Sequence, residues 1–326
     1  MRASTKWPIR EPSFRDWSKH KAAQIGAVLS RACGTRADDS IGIFTYHRLS
    51  PRIRGVPAPT LNVTPDRFRK QIAGLQRRGY VFRPLAEILR LQRLGLPMPP
   101  RTVVLTFDDG FASVYKNAWP ILLELQVPAT VLLCTAFLDT GTPFPFDPWA
   151  QTYRRQIPVD SWRPLSSDEC REMQASGLID FGLHTHTHQD FRSRPGDLAD
   201  DLRACQRILG DKFGPAEFSF AFPFGYYNDA MIDVIREADL TCAMTVDDCL
   251  VPDQSDPFGW ARFTAHDWDT PATLAAKREG WYTWLLDRYQ GCRRTVRRIA
   301  GRPPQELPPR MRAKQRRTNR ANPCHR

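Results

Sequence analysis

The chain has 326 residues and a formal net charge of +12, a length that suits one large α/β domain or two small ones. No apolar run is long enough to span a membrane, which excludes an integral helical membrane protein. The eight cysteines form no Cys-x-x-Cys pair and several lie in apolar stretches, which favours free buried thiols over a disulfide framework or a zinc knuckle.

Strand and helix patterns alternate from residue 41 onward, after a first segment of mixed charge without a clear period. The apolar runs predict strands over 41–46, 80–82, 102–106, 129–134, 178–183, 217–221 and 240–245. Helical spacing with start and stop residues predicts helices over 64–78, 85–94, 121–126, 197–209, 228–238 and 270–288. This alternation is typical of a parallel sheet. About seven parallel strands in this order predict an α/β fold, a distorted (β/α) barrel.

The chain divides into three predicted parts: an N-terminal extension over 1–38, a barrel domain over 39–290 and a tail over 291–326. Within the extension, residues 22–29 favour an amphipathic helix over a signal peptide. Within the barrel domain, the proline- and aromatic-rich segment 139–165 interrupts the alternation and predicts a long loop or insertion over the active face.

The tail is basic and rich in proline. Residues 301–326 carry eight basic residues and one acidic residue, together with five prolines that break any helix. This composition predicts a disordered segment. It is suited to contact anionic lipid head groups, nucleic acid or an acidic partner. The alternative is a solvated tail without a dedicated partner, and the sequence contains no nucleic-acid-binding motif.

Three short segments carry the residues that point to chemistry, and each follows a predicted strand. They are Thr106–Gly110 (Thr-Phe-Asp-Asp-Gly), His184–His188 (His-Thr-His-Thr-His) and Phe222–Gly225 (Phe-Pro-Phe-Gly). Barrel enzymes place their chemistry at the carboxyl ends of the strands. One carboxylate, two imidazoles and a spare carboxylate are the groups that a metal-assisted hydrolase requires.

His184 and His188 satisfy the spacing of a metal site only if the chain turns. Two ligand nitrogens must lie about 2 Å from one ion, whereas four residues of straight strand span about 13 Å. On a helical turn, residues four apart are neighbours. We therefore expect the chain to leave the strand at His184 and turn at once, so that His186 points elsewhere and is not a ligand.

Asp108 and Asp109 should have different roles. Adjacent side chains on an extended chain point to opposite sides, so both can reach one ion only if the backbone turns at Gly110. The alternative interpretation is a pair of carboxylates that cap the following helix near Phe111.

The chain resembles the NodB-homology polysaccharide deacetylases, carbohydrate esterase family four. The resemblance lies in three motifs in this order: Thr-Phe-Asp-Asp-Gly, His-Thr-x-x-His and Phe-Pro-Phe-Gly. The resemblance covers roughly Ile41 to Arg288. It implies a distorted barrel of seven strands and a metal held by Asp109, His184 and His188. It further implies that Asp108 is the general base for the attacking water and that the backbone amide of Phe224 helps to hold the oxyanion.

The sequence departs from the family pattern at one position. Many relatives carry an arginine in the third motif that orients the base, and Ala221 stands there in this chain. The Phe-Ala-Phe-Pro-Phe-Gly version resembles the exopolysaccharide-type branch of the family. Arg262 is the candidate replacement, because it follows the last strand region and could pair with Asp108. The alternative is a surface arginine in an arginine-rich chain.

Two histidines are candidates for the general acid that protonates the leaving amine. His47 ends the first strand, and the exopolysaccharide-type branch shows a similar Tyr-His near its start. His266 lies later, as the acid does in many relatives. An imidazole suits this role because its pKa lies near neutrality. Of the two, His47 is the preferred candidate.

The resemblance implies a metal-dependent hydrolase that removes N-acetyl groups from an N-acetylated sugar or polysaccharide. Zinc suits the ligand set, although cobalt, nickel and iron are not excluded. The alternatives are deacetylation of an O-acetyl ester or another amide, and a carbohydrate-binding protein that has lost its chemistry. A non-haem iron oxygenase also uses two histidines and a carboxylate, but the spare Asp108 favours hydrolysis. We expect a cytoplasmic location, and the oligomeric state is open.

Overall fold

The computed structural model describes residues 14–37 and 39–289. Its strands are β1 (Ser40–Tyr46), β2 (Val81–Phe82), β3 (Thr102–Phe107), β4 (Ala129–Leu133), β5 (Ile179–Leu183), β6 (Ser219–Ala221), β7 (Cys242–Met244), β8 (Val251–Pro252) and β9 (Phe263–Thr264). Its helices are α1 (Phe14–Cys33), α2 (Pro65–Arg77), α3 (Leu85–Arg93), α4 (Trp119–Leu125), α5 (Pro148–Tyr153), α6 (Ser167–Ala175), α7 (Pro195–Phe213), α8 (Asp229–Arg236) and α9 (Pro271–Arg278). Residues 281–289 are also helical.

The strands form one sheet in the order β7-β6-β5-β4-β3-β1-β8, with β2 also paired to β3 and β9 to β1. Only β8 pairs antiparallel among the described strands. The segment 260–264 spans the opening between the two ends of the parallel array, because Trp260 bridges Met244 of β7 and β9 runs parallel to β1. The sheet therefore curls into a distorted barrel of mostly parallel strands, as the sequence predicts.

The barrel is built from strands that are buried on both faces. All seven residues of β1 and all six of β3 are buried, which is the pattern of central parallel strands covered by helices. Most of the interior is apolar, but Thr45, Thr106 and Arg262 are also fully buried. The carboxyl ends of β1, β3, β5 and β6 lie at one edge of the sheet, where the three motifs follow.

The N-terminal helix packs against the C-terminal helical region. Ala23 is buried, and a side chain at Gly26 would lie 3.3 Å from Cβ of Ala276 and 3.5 Å from Cβ of Trp281. Lys19 pairs with Asp248 across this contact. The predicted extension thus contributes a packed helix, whereas the predicted tail over 291–326 lies outside the described residues. None of the described helices combines the length and the apolar character needed to cross a membrane.

Two helix predictions need correction, and helices α5 and α6 were not predicted. Helix α7 continues past Gly210 to Phe213 and ends at Gly214, whose φ of +88° suits glycine alone. The predicted helix 270–288 breaks at Gly280, with φ of +83°, into α9 and the helical residues 281–289. Helix α6 was not predicted, although Ser166 and Glu169 form a capping box at its start.

Candidate metal centre and active site

The chain turns sharply after β3, at the two carboxylates Asp108 and Asp109. Asp109 and Gly110 both adopt left-handed backbone angles, with φ of +73° and +85°. A side chain at Gly110 would lie 2.7 Å from Cδ2 of Leu133, so the close approach and the angle both require glycine. The amide of Asp108 still donates to the carbonyl of Tyr46 at 2.9 Å, continuing the ladder to β1. The turn lets both carboxylates line the same cavity, although adjacent residues of a straight strand would point to opposite sides.

A second turn after β5 brings His184 and His188 together. Thr185 and His188 have positive φ values of 66° and 54°, and the amide of His188 donates to Oγ1 of Thr185 at 2.9 Å. The ring of His186 points away and contacts Oγ1 of Thr135 at 2.9 Å. The chain therefore leaves the strand at His184 and turns at once, as the spacing predicts.

Asp109, His184 and His188 converge on one point. One ligand atom from each lies within 4.8 Å of the other two. Nε2 of His184 and Nε2 of His188 are 3.5 and 3.3 Å from Oδ1 of Asp109. Nδ1 of His184 donates to the carbonyl of Ala221 at 2.9 Å, which leaves Nε2 with a free lone pair facing the carboxylate.

Burial prepares this group for a cation. It lowers the pKa of His188 to about 3 and lowers that of His184, so both rings are neutral at pH 7. Burial also raises the pKa of Asp109. A buried carboxylate without a bound cation is costly, and two neutral imidazoles with one carboxylate are a ligand set that divalent transition metals prefer. The residues present therefore fit a metal ion.

Arg262 lies fully buried inside the barrel and forms a two-point ion pair with Asp108. Its Nη1 donates to Oδ1 of Asp108 at 2.6 Å and its Nη2 to Oδ2 at 2.8 Å. Thr45, Thr106 and the carbonyl of Thr245 accept its other hydrogen bonds at 3.0–3.2 Å. The structure thus brings the candidate arginine to the candidate base.

The protonation state of Asp108 follows from this pair. Burial acts to raise the pKa of Asp108, but the charge of Arg262 outweighs it and holds the pKa well below its usual range. Asp108 therefore carries a negative charge throughout the neutral range, beside the candidate metal ligands.

The two candidate acids lie in different places. His47 lines the same cavity as Asp108 and Asp109, with its Nε2 at 3.8 Å from Oδ2 of Asp108. His266 does not line this cavity; its ring stacks on Trp268 with 4.8 Å between ring centres. Burial lowers the pKa of both rings, to about 4 for His266. Only His47 is placed to exchange a proton with groups in the cavity.

Aromatic side chains wall the cavity on the side of His188. The ring of Phe146, from the segment 139–165, stacks on His188 with 3.7 Å between ring centres, and the ring of Phe224 meets it edge-on at 4.4 Å. Phe224 has a φ of +58° and, together with Gly225, lines the cavity. The inserted segment thus lies over the active face, as predicted.

Each of the three motif loops contains strained backbone. Asp109, Thr185, His188 and Phe224 are all non-glycine residues with positive φ. Such conformations cost about 1–3 kcal/mol each and persist only where surrounding contacts enforce them. The motif loops therefore depend on tertiary contacts for their shape.

Sequence reasoning missed Asp201, which holds the histidine turn from behind. It lies on α7, buried, and accepts from the amides of His186 and Thr187 at 2.5 and 3.1 Å and from Oγ1 of Thr187 at 2.5 Å. The sequence did contain a sign of this role, because Asp201 lies on the same helix face as the apolar residues Leu198 and Cys205. A carboxylate on an apolar stripe needs buried donors.

We expect Asp201→Ala to lower the free energy of unfolding of the metal-free protein by about 2–4 kcal/mol, because each buried amide left unpaired costs about 1–3 kcal/mol. Urea unfolding measures this. Asp200→Ala, which changes the exposed neighbour paired to Arg203, should alter stability by less than about 0.5 kcal/mol. Equal losses in the two variants would contradict the assigned role.

Sequence reasoning also missed a buried ion pair at the opposite wall. Arg48 donates to Asp147, and its guanidinium lies 4.2 Å from the ring centre of Phe111 and 4.7 Å from that of Trp149. Asp147 also accepts from the amide of Ala150 at 3.2 Å, capping α5. Because Arg48 follows β1 and Asp147 belongs to the inserted segment, the pair fastens the insertion to the barrel rim.

Comparison with known protein families finds a match within the barrel domain. Residues 95–243 match the family model described as polysaccharide deacetylase, and this range contains both the aspartate pair and the histidine turn. Residues 95–243 thus carry a polysaccharide deacetylase domain by this match, in agreement with the resemblance of the three motifs.

Two curated relatives are staphylococcal enzymes named poly-beta-1,6-N-acetyl-D-glucosamine N-deacetylase. The one from Staphylococcus aureus (strain MRSA252) is 25% identical over 215 residues, covering 63% of this chain and 68% of the relative. The one from Staphylococcus epidermidis is 25% identical over 228 residues, covering 67% and 73%.

Solved structures share the fold. IcaB from Ammonifex degensii superposes with a TM-score of 0.61 at 21% identity, covering 74% of this chain and 98% of its own. The Streptococcus pyogenes deacetylase PplD superposes with a TM-score of 0.63 at 22% identity, covering 74% and 99%. At these identities the likeness establishes the fold alone, and it agrees with the distorted barrel.

Proposed function

We propose that the chain is a metal-dependent hydrolase that removes N-acetyl groups from an N-acetylated glucosamine polysaccharide. The observation that carries the proposal is the position of Asp108: a second carboxylate, held ionised by Arg262, stands beside the group formed by Asp109, His184 and His188. A site that only bound a metal ion would not need a second ionised carboxylate, Asp108, beside the metal ligands. The names of the staphylococcal relatives support the carbon–nitrogen bond and the substrate class.

Asp109, His184 and His188 would hold the metal, and zinc is the ion we propose because it favours nitrogen and carboxylate ligands in sets of three with an open position. When bound, the ion would polarise the acetamide carbonyl and lower the pKa of water at the site. The hydrogen bond from His184 to Ala221 fixes the orientation of that ring.

Asp108 takes the proton of the attacking water. Its two hydrogen bonds from Arg262 fix the carboxylate plane and keep it ionised, so it is always ready to accept. The same pairing makes it a weak base, which suits a water already acidified at the site. The backbone amide of Phe224 is the proposed donor to the oxyanion that develops on the acetamide oxygen.

His47 delivers the proton to the leaving amine. Burial lowers the pKa of His47, so the ring is neutral at the start of the cycle and must gain a proton before it can donate one. Asp108 lies 3.8 Å from Nε2 of His47. A proton accepted by Asp108 can therefore reach His47 after a small movement, and then the nitrogen of the departing sugar.

We expect His47→Gln to lower the rate of acetate release by about 100-fold, the usual contribution of a positioned general acid. His266→Gln should change it by less than about threefold, because His266 lies outside the cavity. Both rates are measured under saturating metal, at a temperature where each variant is folded. A larger loss in His266→Gln than in His47→Gln would reverse the assignment.

The type of bond is tested by comparing two substrates. Purified full-length protein is incubated with N-acetylglucosamine oligomers and with O-acetylated oligosaccharides, and the released acetate is quantified. The proposal predicts acetate from the amide substrate at the higher kcat/KM. Faster release from the ester would favour an O-deacetylase, and tight oligomer binding without acetate from either substrate would favour a binding protein.

A further inference from the structure

The two histidines of the candidate metal centre are held in different ways. His184 is fixed by a conventional hydrogen bond from its Nδ1 to the carbonyl of Ala221. Nδ1 of His188 is equally buried, but no other residue in the described part of the chain lies within hydrogen-bond distance of it. Metal-binding histidines almost always donate this second ring N–H to a carboxylate, a carbonyl or water. Another contact must therefore set the orientation of the His188 ring.

The inserted segment supplies that contact through Phe146. Its ring lies nearly parallel to that of His188, at 25° and 3.7 Å between centres. Phe146 is itself held from behind by a buried aromatic cluster, with Phe144 and Phe137 at 5.0 and 5.9 Å. The next residue, Asp147, is ion-paired to Arg48 at the barrel rim. Phe146 is thus anchored on both sides.

We propose that Phe146 is a positioning residue for the metal ligand His188, because its ring stacking supplies the orientation that a hydrogen bond to a neighbouring residue would otherwise give. The stack restricts rotation of the imidazole about its Cβ–Cγ bond, so Nε2 faces Oδ1 of Asp109 at 3.3 Å before any cation arrives. A preorganised ligand loses less conformational freedom on binding. The inserted segment, which lies far from β5 in the sequence, thereby sets the metal affinity of the site.

The inference rests on the proposed metal centre, and metal affinity tests the two separately. Zinc dissociation constants are measured by competition with a chromogenic chelator for the metal-stripped full chain and three variants. Phe146→Leu keeps apolar volume but removes the aromatic face, and Phe146→Tyr keeps the face. Phe213→Leu is the matched control, because the ring of Phe213 stacks on Phe181 with 5.1 Å between ring centres and does not line the cavity.

We expect Phe146→Leu to weaken zinc binding about tenfold, at the lower end of the losses seen when supporting contacts of metal ligands are removed. Phe146→Tyr and Phe213→Leu should stay within about threefold of the unmodified chain. Affinity within about threefold in Phe146→Leu, or an equal loss in Phe213→Leu, would overturn the role of Phe146 while leaving the centre in place. Failure of the unmodified chain to bind zinc would overturn both.

Discussion

Asp108→Asn is expected to lower the rate of acetate release by about 100-fold to 10,000-fold while the protein still binds its metal. Asparagine keeps the shape of the side chain and can accept one hydrogen bond from Arg262, but it cannot take a proton from water. Loss of a positioned general base removes a rate factor of this size. The group that could hold a metal ion consists of Asp109, His184 and His188 and does not include Asp108.

The variant is compared with Asp109→Asn at matched protein concentration, with bound metal and initial rate measured for both. Asp108→Asn should retain metal and lose activity, whereas Asp109→Asn should lose metal affinity as well. A rate within tenfold of the unmodified chain for Asp108→Asn would contradict the assignment of the base. So would loss of metal in that variant alone.

Arg262→Met is expected to lower the free energy of unfolding by about 3–5 kcal/mol. The guanidinium is fully buried and donates to both oxygens of Asp108, so its removal leaves a buried carboxylate without its counter-charge. Breaking a buried ion pair on one side has a cost of this order. Urea unfolding of the metal-free protein measures the change.

A double variant separates the ion pair from general loss of packing. If the cost of Arg262→Met comes from the unpaired charge of Asp108, then Asp108→Asn combined with Arg262→Met should be less destabilised than the sum of the single variants. Arg262→Lys keeps the charge but not the two-point geometry, and we expect an intermediate loss. Simple additivity in the double variant would show that the pair is not coupled.

The sequence was sufficient to predict strands β1 to β7 and the convergence of the motifs, because apolar runs and turn residues mark strand ends locally. Strands β8 and β9 were not predicted, because each has only two residues and shows no period. The position of Arg262 was predicted for a different reason: Ala221 stands where relatives carry arginine, and a buried base needs a counter-charge from elsewhere. In the structure Arg262 lies directly before β9, and its Nη1 is 2.6 Å from Oδ1 of Asp108.

The contacts that were not predicted join residues that lie far apart in the sequence. The pairing of Arg48 with Asp147 joins residues 99 positions apart, and nothing in either local pattern marks a partner. The stack of Phe146 on His188 likewise depends on how the inserted segment folds back. Helix α6 is different, since its capping box is visible in Ser166 and Glu169 and was overlooked beside the proline-rich insertion.

Local residue propensities also could not predict the left-handed backbone conformations of four residues, Asp109, Thr185, His188 and Phe224. Each is unfavourable for the residue that adopts it, and each is enforced by surrounding tertiary contacts. For the histidine turn, Asp201 supplies part of that enforcement by accepting from two successive amides. Sequence rules describe relaxed segments and therefore fail where a site holds the backbone under strain.

The measurement that tests the central claim most directly is acetate release from N-acetylglucosamine oligomers while zinc is titrated into metal-stripped protein, beside His184→Ala. We expect almost no release without metal, a linear rise in rate that ends at a single equivalent of zinc per chain, and no such rise in the variant. Full activity in the stripped protein, or an identical titration in His184→Ala, would contradict a catalytic metal held by Asp109, His184 and His188.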